Sequence, residues 1–352
     1  MVFDETEGRV LGVGEECRGL PVSKTIRAPS GAVLTAGLID AHTHMGICEL
    51  GNGPEYPELD ECGTDFHTLA HTRTGDSFRF TDEAFDEALS AGVCAVHILP
   101  GSLNGICGQG CFVATYVEGY SPLVISQTTG LKVALGENPS RRNAKRGVFP
   151  VTGRGITWQI RELLSKKGDA LAERIVSGEL PIHAHVHRVD DIRAILGLKR
   201  EFGFRLVLHH ASEAHLVAEE LVQEQVAVIA GPLIMARLKR ETKLLSWDGL
   251  KRLLETGVKV ALASDHPVIP VQYLRLCAIL SVVYGVSEEA AWGAITESPA
   301  EILGASDRGV VRRGAVADLV LWQTDPLDLR SSPLAVWSRG KLVRSTDQLR
   351  TA

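Results

Sequence analysis

No stretch of this chain approaches the run of about 18 to 20 apolar residues that a membrane helix requires. Nor is there a surplus of basic residues. The net charge is −6 and the isoelectric point about 6.1, which excludes a basic face for nucleic acid or an anionic membrane. The opening MVFDETEGRV is acidic and lacks the basic and apolar regions of a secretion signal, so a cytoplasmic location is expected. CxxC pairs are missing, and the seven cysteines are an odd count, which reads as reduced thiols rather than a disulfide framework. Cys107 and Cys111 sit in a Gly-rich stretch and read as small buried residues. Internal repeats and low-complexity segments are also absent. What remains is 352 residues, 45% of them hydrophobic, enough for a large core. That length suits two units, or one (β/α)8 barrel with an appendage.

Both ends of the chain are β-like. Residues 9–13 and 22–27 are short extended pieces broken by Gly and Pro. At the other end, residues 317–322 read as a strand, and residues 335–337 with 341–343 as a hairpin around Arg339-Gly340. Neither end has enough strands to stand alone, so residues 1–35 and 310–352 are expected to form one small β-sandwich subdomain. Between them, in residues 36–309, apolar strands alternate with helical patterns, which argues for a parallel sheet with helices outside. The expected strands after the first are 93–99, 112–115, 131–135, 180–185, 205–210, 226–230 and 258–264. Helices are expected at 81–91 (Thr81 as N-cap), 156–166, 190–202, 213–224 and 246–256. The fold class is therefore α/β, a (β/α)8 TIM barrel.

Active sites of such barrels lie at the C-terminal ends of the strands. The first strand ends in GLIDAHTHMG, where His42 and His44 are two apart and share a face, a natural clamp for a divalent metal. Later strand ends carry Lys132 or Glu137, then His183, His185 and His187, then His209 and His210, then Asp265 and His266. One histidine at a strand end is uninformative; a series of ends carrying His or Asp fits a metal site.

HTH at the first strand, HAHVH at the fifth, LHHASE at the sixth and ASDHP at the eighth resemble the metal-binding motifs of the amidohydrolase superfamily. GSLNGICGQG, GLKVALGENPS, PIHAHVHRVDDI, ASDHPVIP and SPAEILGASDRGVVRRGAVADLVLW further resemble its imidazolonepropionase-related branch. The resemblance runs from about residue 30 to 325. It departs at TAGLID, where the family has a proline before GLID, and in a shorter segment at 140–180 near the substrate pocket.

The resemblance implies that His42 and His44 bind the more buried metal and that His185 and His210 are further ligands. His183 would lie one pleat deeper, His187 one pleat higher near substrate, and His209 on the opposite face from His210. Asp265 would bind metal and take the proton from water; it and His210 are the expected catalytic residues. For the bridging position, Lys132 matches relatives with a carboxylated lysine and Glu137 those with a glutamate. Pleat geometry favours Lys132, because Ala134 and Gly136 share its face and leave it room, while Glu137 has the opposite parity. An inward lysine fits a metal site if carboxylated, as the resemblance implies, or if fewer metals bind, with Glu137 then near the metal or substrate. A free ammonium beside divalent cations would be repelled.

Gln109 and Asn104 lie in a loop whose amides could hold a substrate oxyanion, or form a plain turn. Arg154 and Arg188 are candidate partners for a substrate carboxylate, and His266 for orienting Asp265 or substrate. His67, His71, His97 and His215 read as surface or packing residues. Together these features imply a metal-dependent hydrolase, with one or two divalent ions, zinc expected. It would use metal-activated hydroxide on the C–N bond of a cyclic amide, imidazolone-like or aminoacyl amide substrate. A deaminase of an amino-heterocycle and a catalytically silent barrel scaffold are the alternatives; the intact ligand set argues against the scaffold. The partner is a small molecule, with no nucleic acid and no membrane, and homo-oligomerisation is left open. Specificity is expected in the loops at 46–80 and 139–160.

Overall fold

The computed structural model describes residues 1–51, 59–60 and 65–350. Its centre is an eight-stranded sheet in chain order: β4 (Leu38–Thr43), β5 (Val93–Ile98), β6 (Ile106–Glu118), β7 (Ser121–Ala134), β8 (Ile182–Val186), β9 (Leu206–His210), β10 (Ala227–Ala230) and β11 (Val260–Leu262). Most of these strands are buried on both faces, which is why they read as near-continuous apolar runs. The sheet nearly closes on itself. Thr43 bridges to His266 in parallel, Asp265 N donates to His42 O at 3.0 Å, and His44 N donates to His266 O at 2.8 Å. This seam joins the C-terminal ends of the first and last strands, the rim where the histidines stand.

All eight expected strands are present, but the sheet is not wholly parallel. β6 runs antiparallel to both β5 and β7. Only Gly119 and Tyr120 separate β6 from β7, whereas a parallel crossover needs about a dozen residues or more. The expected strands at 112–115 and 131–135 are thus parts of one long hairpin, with Gly119 at a φ of 62° in its turn. Helices flank the remaining strands. Gly153–Ser165 is capped by Thr152, Trp247–Thr256 by Ser246, and Val189–Phe202 ends at Gly203 in the left-handed conformation. The helix expected from residue 81 begins later, at Ala84–Ser90. Asp82 rather than Thr81 anchors it, accepting from Ala84 N at 3.2 Å and from Gly46 N at 3.1 Å, which ties the helix to the loop after β4.

The two chain ends meet. β3 (Val33–Ala36) pairs antiparallel with β12 (Leu319–Trp322), and β13 (Pro333–Ser338) and β14 (Lys341–Ser345) complete a four-stranded sheet. A separate ladder, β1 (Val2–Asp4) with β2 (Arg9–Gly12), covers a small core of Val10, Leu319, Leu321, Leu334 and Trp337, with Phe3 edge-on to Trp337. Trp322 is fully buried and donates from Nε1 to Thr35 Oγ1 at 2.8 Å, so one side chain both packs the seam and links the termini. Burial of such a ring contributes on the order of 3 kcal/mol. Residues 22–27 form no strand. They are exposed and have no partner strand among the described residues against which to bury one face. No helix among the described residues is long and apolar enough to cross a membrane.

Candidate metal centre

A cavity of about 490 Å³ opens at the C-terminal rim, lined by His42, His44, Lys132, His185, His187, His210 and Asp265 among others. These residues come from β4, β7, β8, β9 and the segments following β4, β8 and β11, so the barrel brings together positions more than 200 residues apart. His42 Nε2 lies 3.5 Å from Asp265 Oδ1, and His44 Nε2 lies 3.3 Å from the same oxygen. Lys132 Nζ is 3.3 Å from His42 Nε2. The ligating atoms of His42, His210 and Asp265 all fall within 4.8 Å of one another, as do those of His185, His187 and Glu241.

Backbone conformation at two strand ends makes this convergence possible. His210, Ala211 and Asp265 have φ values of 65°, 42° and 56°, left-handed backbone that costs a non-glycine residue about 1 kcal/mol or more. At His210 this turn breaks the pleat alternation. His209 therefore does not face away, as strand parity implied: both it and His210 point inward, His209 to the barrel floor and His210 to the cavity.

Burial sets the charge states. It pushes His42, His185 and His187 well below the ordinary histidine range and His210 down to about 4. It likewise pushes Lys132 down to about 8. For Asp265, burial acts upward, but His210 and His44 outweigh it and hold the carboxyl below 3.8, hence ionised at neutral pH.

The donor set fits a divalent cation. His44 Nδ1 donates to Leu99 O at 2.6 Å and His210 Nδ1 to Gly231 O at 2.6 Å. Nδ1 is thus the donor in both rings, which leaves Nε2 as the atom available to a metal, the arrangement found where histidines bind metals. His44 Nε2 lies 3.3 Å from Asp265 Oδ1, close enough for one cation to meet both atoms. His185 Nε2 is buried and has no hydrogen-bond partner among the described residues.

Several expected site residues lie off this cluster. Glu137, at the start of the helix Glu137–Arg146, exchanges hydrogen bonds with Glu241 (2.7 and 3.1 Å) and pairs with Arg141. Gln109 is buried and donates to Ala70 O at 3.0 Å, bracing the helix Phe66–His71 against β6. Arg154 is exposed in the first turn of Gly153–Ser165. His266 is buried beside Asp265, its Nδ1 accepting from Val271 N at 3.2 Å, and it does not line the cavity. Arg188 is exposed and paired with Asp190. Cys107 and Cys111 are buried, as their surroundings implied.

Sequence reasoning missed Asp60, Ser102, Asn138, Met235 and Lys239, which also line the cavity, and Glu241 behind it. Position after a barrel strand was the available signal for the Lys239–Glu241 run, which follows β10. Of the expected specificity loop at 46–80, residues 52–58 and 61–64 lie outside the described residues.

A model of the amidohydrolase family matches residues 162–344. An amidohydrolase from Thermotoga maritima MSB8 superimposes with a TM-score of 0.88, at 34% identity, over 97% of this chain and 94% of that one. The chain belongs to the amidohydrolase family. Other amidohydrolase-family likenesses are more distant. The chain is 27% identical over 370 residues to amidohydrolase tasK of Hapsidospora irregularis, a match spanning 91% of this chain but only 37% of that protein. It is 26% identical over 349 residues to the imidazolonepropionase of Alteromonas mediterranea, covering 88% of this chain and 81% of that one. The second likeness agrees with the branch that the strand-end motifs resemble.

Proposed function

We propose that this amidohydrolase hydrolyses a C–N bond of a cyclic amide, imidazolone-like or aminoacyl amide substrate in a metal-dependent reaction. The observation that carries the reading is the convergence of five histidines, the Asp265 carboxylate and a buried lysine on one cavity at the strand ends. His42, His44, His185, His210 and Asp265 would hold the ion or ions, zinc being the ion suited to imidazole and carboxylate donors. A divalent ion there supplies Lewis-acid polarisation of the scissile carbonyl and acidification of water.

The chain's own residues supply the rest. Asp265, ionised and held near His44, is the base that takes the proton from attacking water and delivers it to the departing nitrogen. His187, held by Ser212 Oγ at 2.8 Å, faces the cavity and orients substrate. The apolar wall of Leu59, Leu103, Met235 and Val268 limits water around the reacting carbon. Lys132, carboxylated, would be a further ligand to the metal in this reading, since Glu137 is engaged with Glu241 and Arg141. Residues 36–309 form the hydrolytic unit, and residues 1–35 with 310–352 a composite β unit that braces it.

The test is metal analysis of the purified protein followed by a hydrolysis screen over lactams, hydantoins, imidazolones and N-acyl amino acids. Ring opening or amide cleavage that disappears with chelation is the expected result. Release of ammonia from an amino-heterocycle without amide cleavage would replace this reading with deamination.

A further inference from the structure

Below the cavity, three imidazoles stand in series across the barrel floor. His42 Nδ1 lies 2.7 Å from His209 Nδ1, His209 Nε2 lies 2.8 Å from His183 Nδ1, and His183 Nε2 lies 3.3 Å from the carbonyl oxygen of Thr129. All three rings are buried.

The direction of this chain follows from its last link. A carbonyl oxygen only accepts, so the proton in that contact belongs to His183 Nε2. A neutral ring carries one ring proton, which leaves His183 Nδ1 bare and makes His209 Nε2 the donor to it. His209 Nδ1 is then bare and accepts from His42 Nδ1. Three contacts need one proton each, and three neutral rings carry one each. The count closes with no proton on His42 Nε2, the atom that faces Lys132 and Asp265. The opposite direction would set bare His183 Nε2 against the carbonyl, acceptor against acceptor.

The anchor is itself held. Thr129 Oγ1 meets His97 Nε2 at 2.7 Å, and His97 Nδ1 donates to Ala41 O at 2.9 Å, beside His42. Gly130 supplies the space: a Cβ there would collide with the His183 ring. His44 and His210 reach carbonyls directly, whereas His42 reaches one only through two further rings.

We propose that His209 and His183 are positioning residues that fix the tautomer of His42, so that its Nε2 is presented unprotonated to a divalent cation, with the Thr129 carbonyl setting the direction. The proposal rests on reading His42 as a metal ligand. Hydrogen bonds in series polarise one another and raise the basicity of the terminal nitrogen, which is how such outer partners tighten metal binding.

Two measurements test it. In the metal-free protein labelled with ¹⁵N-histidine, the His42 signals, identified by their loss in His42→Gln, should report Nδ1–H and unprotonated Nε2. The reverse tautomer overturns the proposal. Competition with a chromophoric chelator gives zinc affinity, which His209→Leu should weaken by about 10- to 100-fold. His209→Gln should recover most of that loss, because its amide accepts from His42 and donates to His183. Parent-like zinc affinity in His209→Leu, or no difference between Leu and Gln, also overturns it. Should His209→Leu fail to fold, the nitrogen shifts of the parent still decide. A parent protein that binds no divalent metal defeats the functional reading instead, and the tautomer remains measurable.

Discussion

Lys132 Nζ lies 3.3 Å from His42 Nε2, and neither side chain is exposed. A free ammonium so placed would strongly repel any divalent ion bound by His42. Addition of carbon dioxide to the neutral amine, with loss of one proton, replaces that cation with an anion able to bridge. Lys132→Ala should therefore bind less metal and lose activity, with partial rescue by short carboxylic acids such as formate. Metal content by elemental analysis is the direct check. If Lys132→Ala retains two ions while Glu137→Ala loses one, the bridge is the glutamate.

Asp265→Asn keeps the size of the side chain but removes its ability to accept a proton. Turnover of whichever amide the enzyme accepts should fall by about 10²- to 10⁴-fold. Circular dichroism should remain that of the parent. Near-parent turnover at unchanged metal content would take Asp265 out of the role of base.

Away from the site, Asp169 offers a pH-dependent test. Its Oδ1 accepts from Leu171 N at 3.0 Å and Ala172 N at 3.2 Å, capping the helix Ala170–Val176, and Oδ2 meets His71 at 3.3 Å. Burial pushes this carboxyl up, but the helix amides and His71 outweigh it and hold it below 3.8. A depressed carboxyl stabilises the fold above the unfolded-state pKa, and the contribution is lost as pH falls through the lower folded value. Asp169→Ala should cost about 1 kcal/mol at neutral pH in urea titrations. That gap should narrow as pH falls below 3.8. A gap independent of pH would mean that the carboxylate charge is not what stabilises the helix.

Legibility of the sequence followed the range of each signal. The strands were readable because buried strands are apolar runs, and His42, His44, His185, His187, His210 and Asp265 were readable because strand ends form one rim. The antiparallel sense of β6 does not show in the alternation of strands and helices; the two-residue spacing at Gly119-Tyr120 carries it. His209 was misplaced because strand parity assumes regular backbone, and the left-handed φ of His210 cannot be read from HHAS. Glu137 was a candidate by position, yet its partner Glu241 lies 104 residues away, a distance no local pattern spans.

The joined termini give the final prediction. Deleting residues 1–30 removes β1 and β2 and uncovers Val10's neighbours Leu319, Leu321 and Trp337, but leaves β3 paired with β12. Deleting residues 1–36 also removes β3, stripping the edge of β12 of its hydrogen-bond partner and Trp322 of its acceptor Thr35. An unpaired apolar edge invites strand addition between molecules. The shorter deletion should lower the melting temperature, and the longer one should aggregate as well, read by light scattering during size-exclusion chromatography. Since the cavity is built from residues 42 onward, the shorter deletion should still bind zinc. Two truncations equal in solubility and melting temperature would show that β3 does not protect the sheet edge.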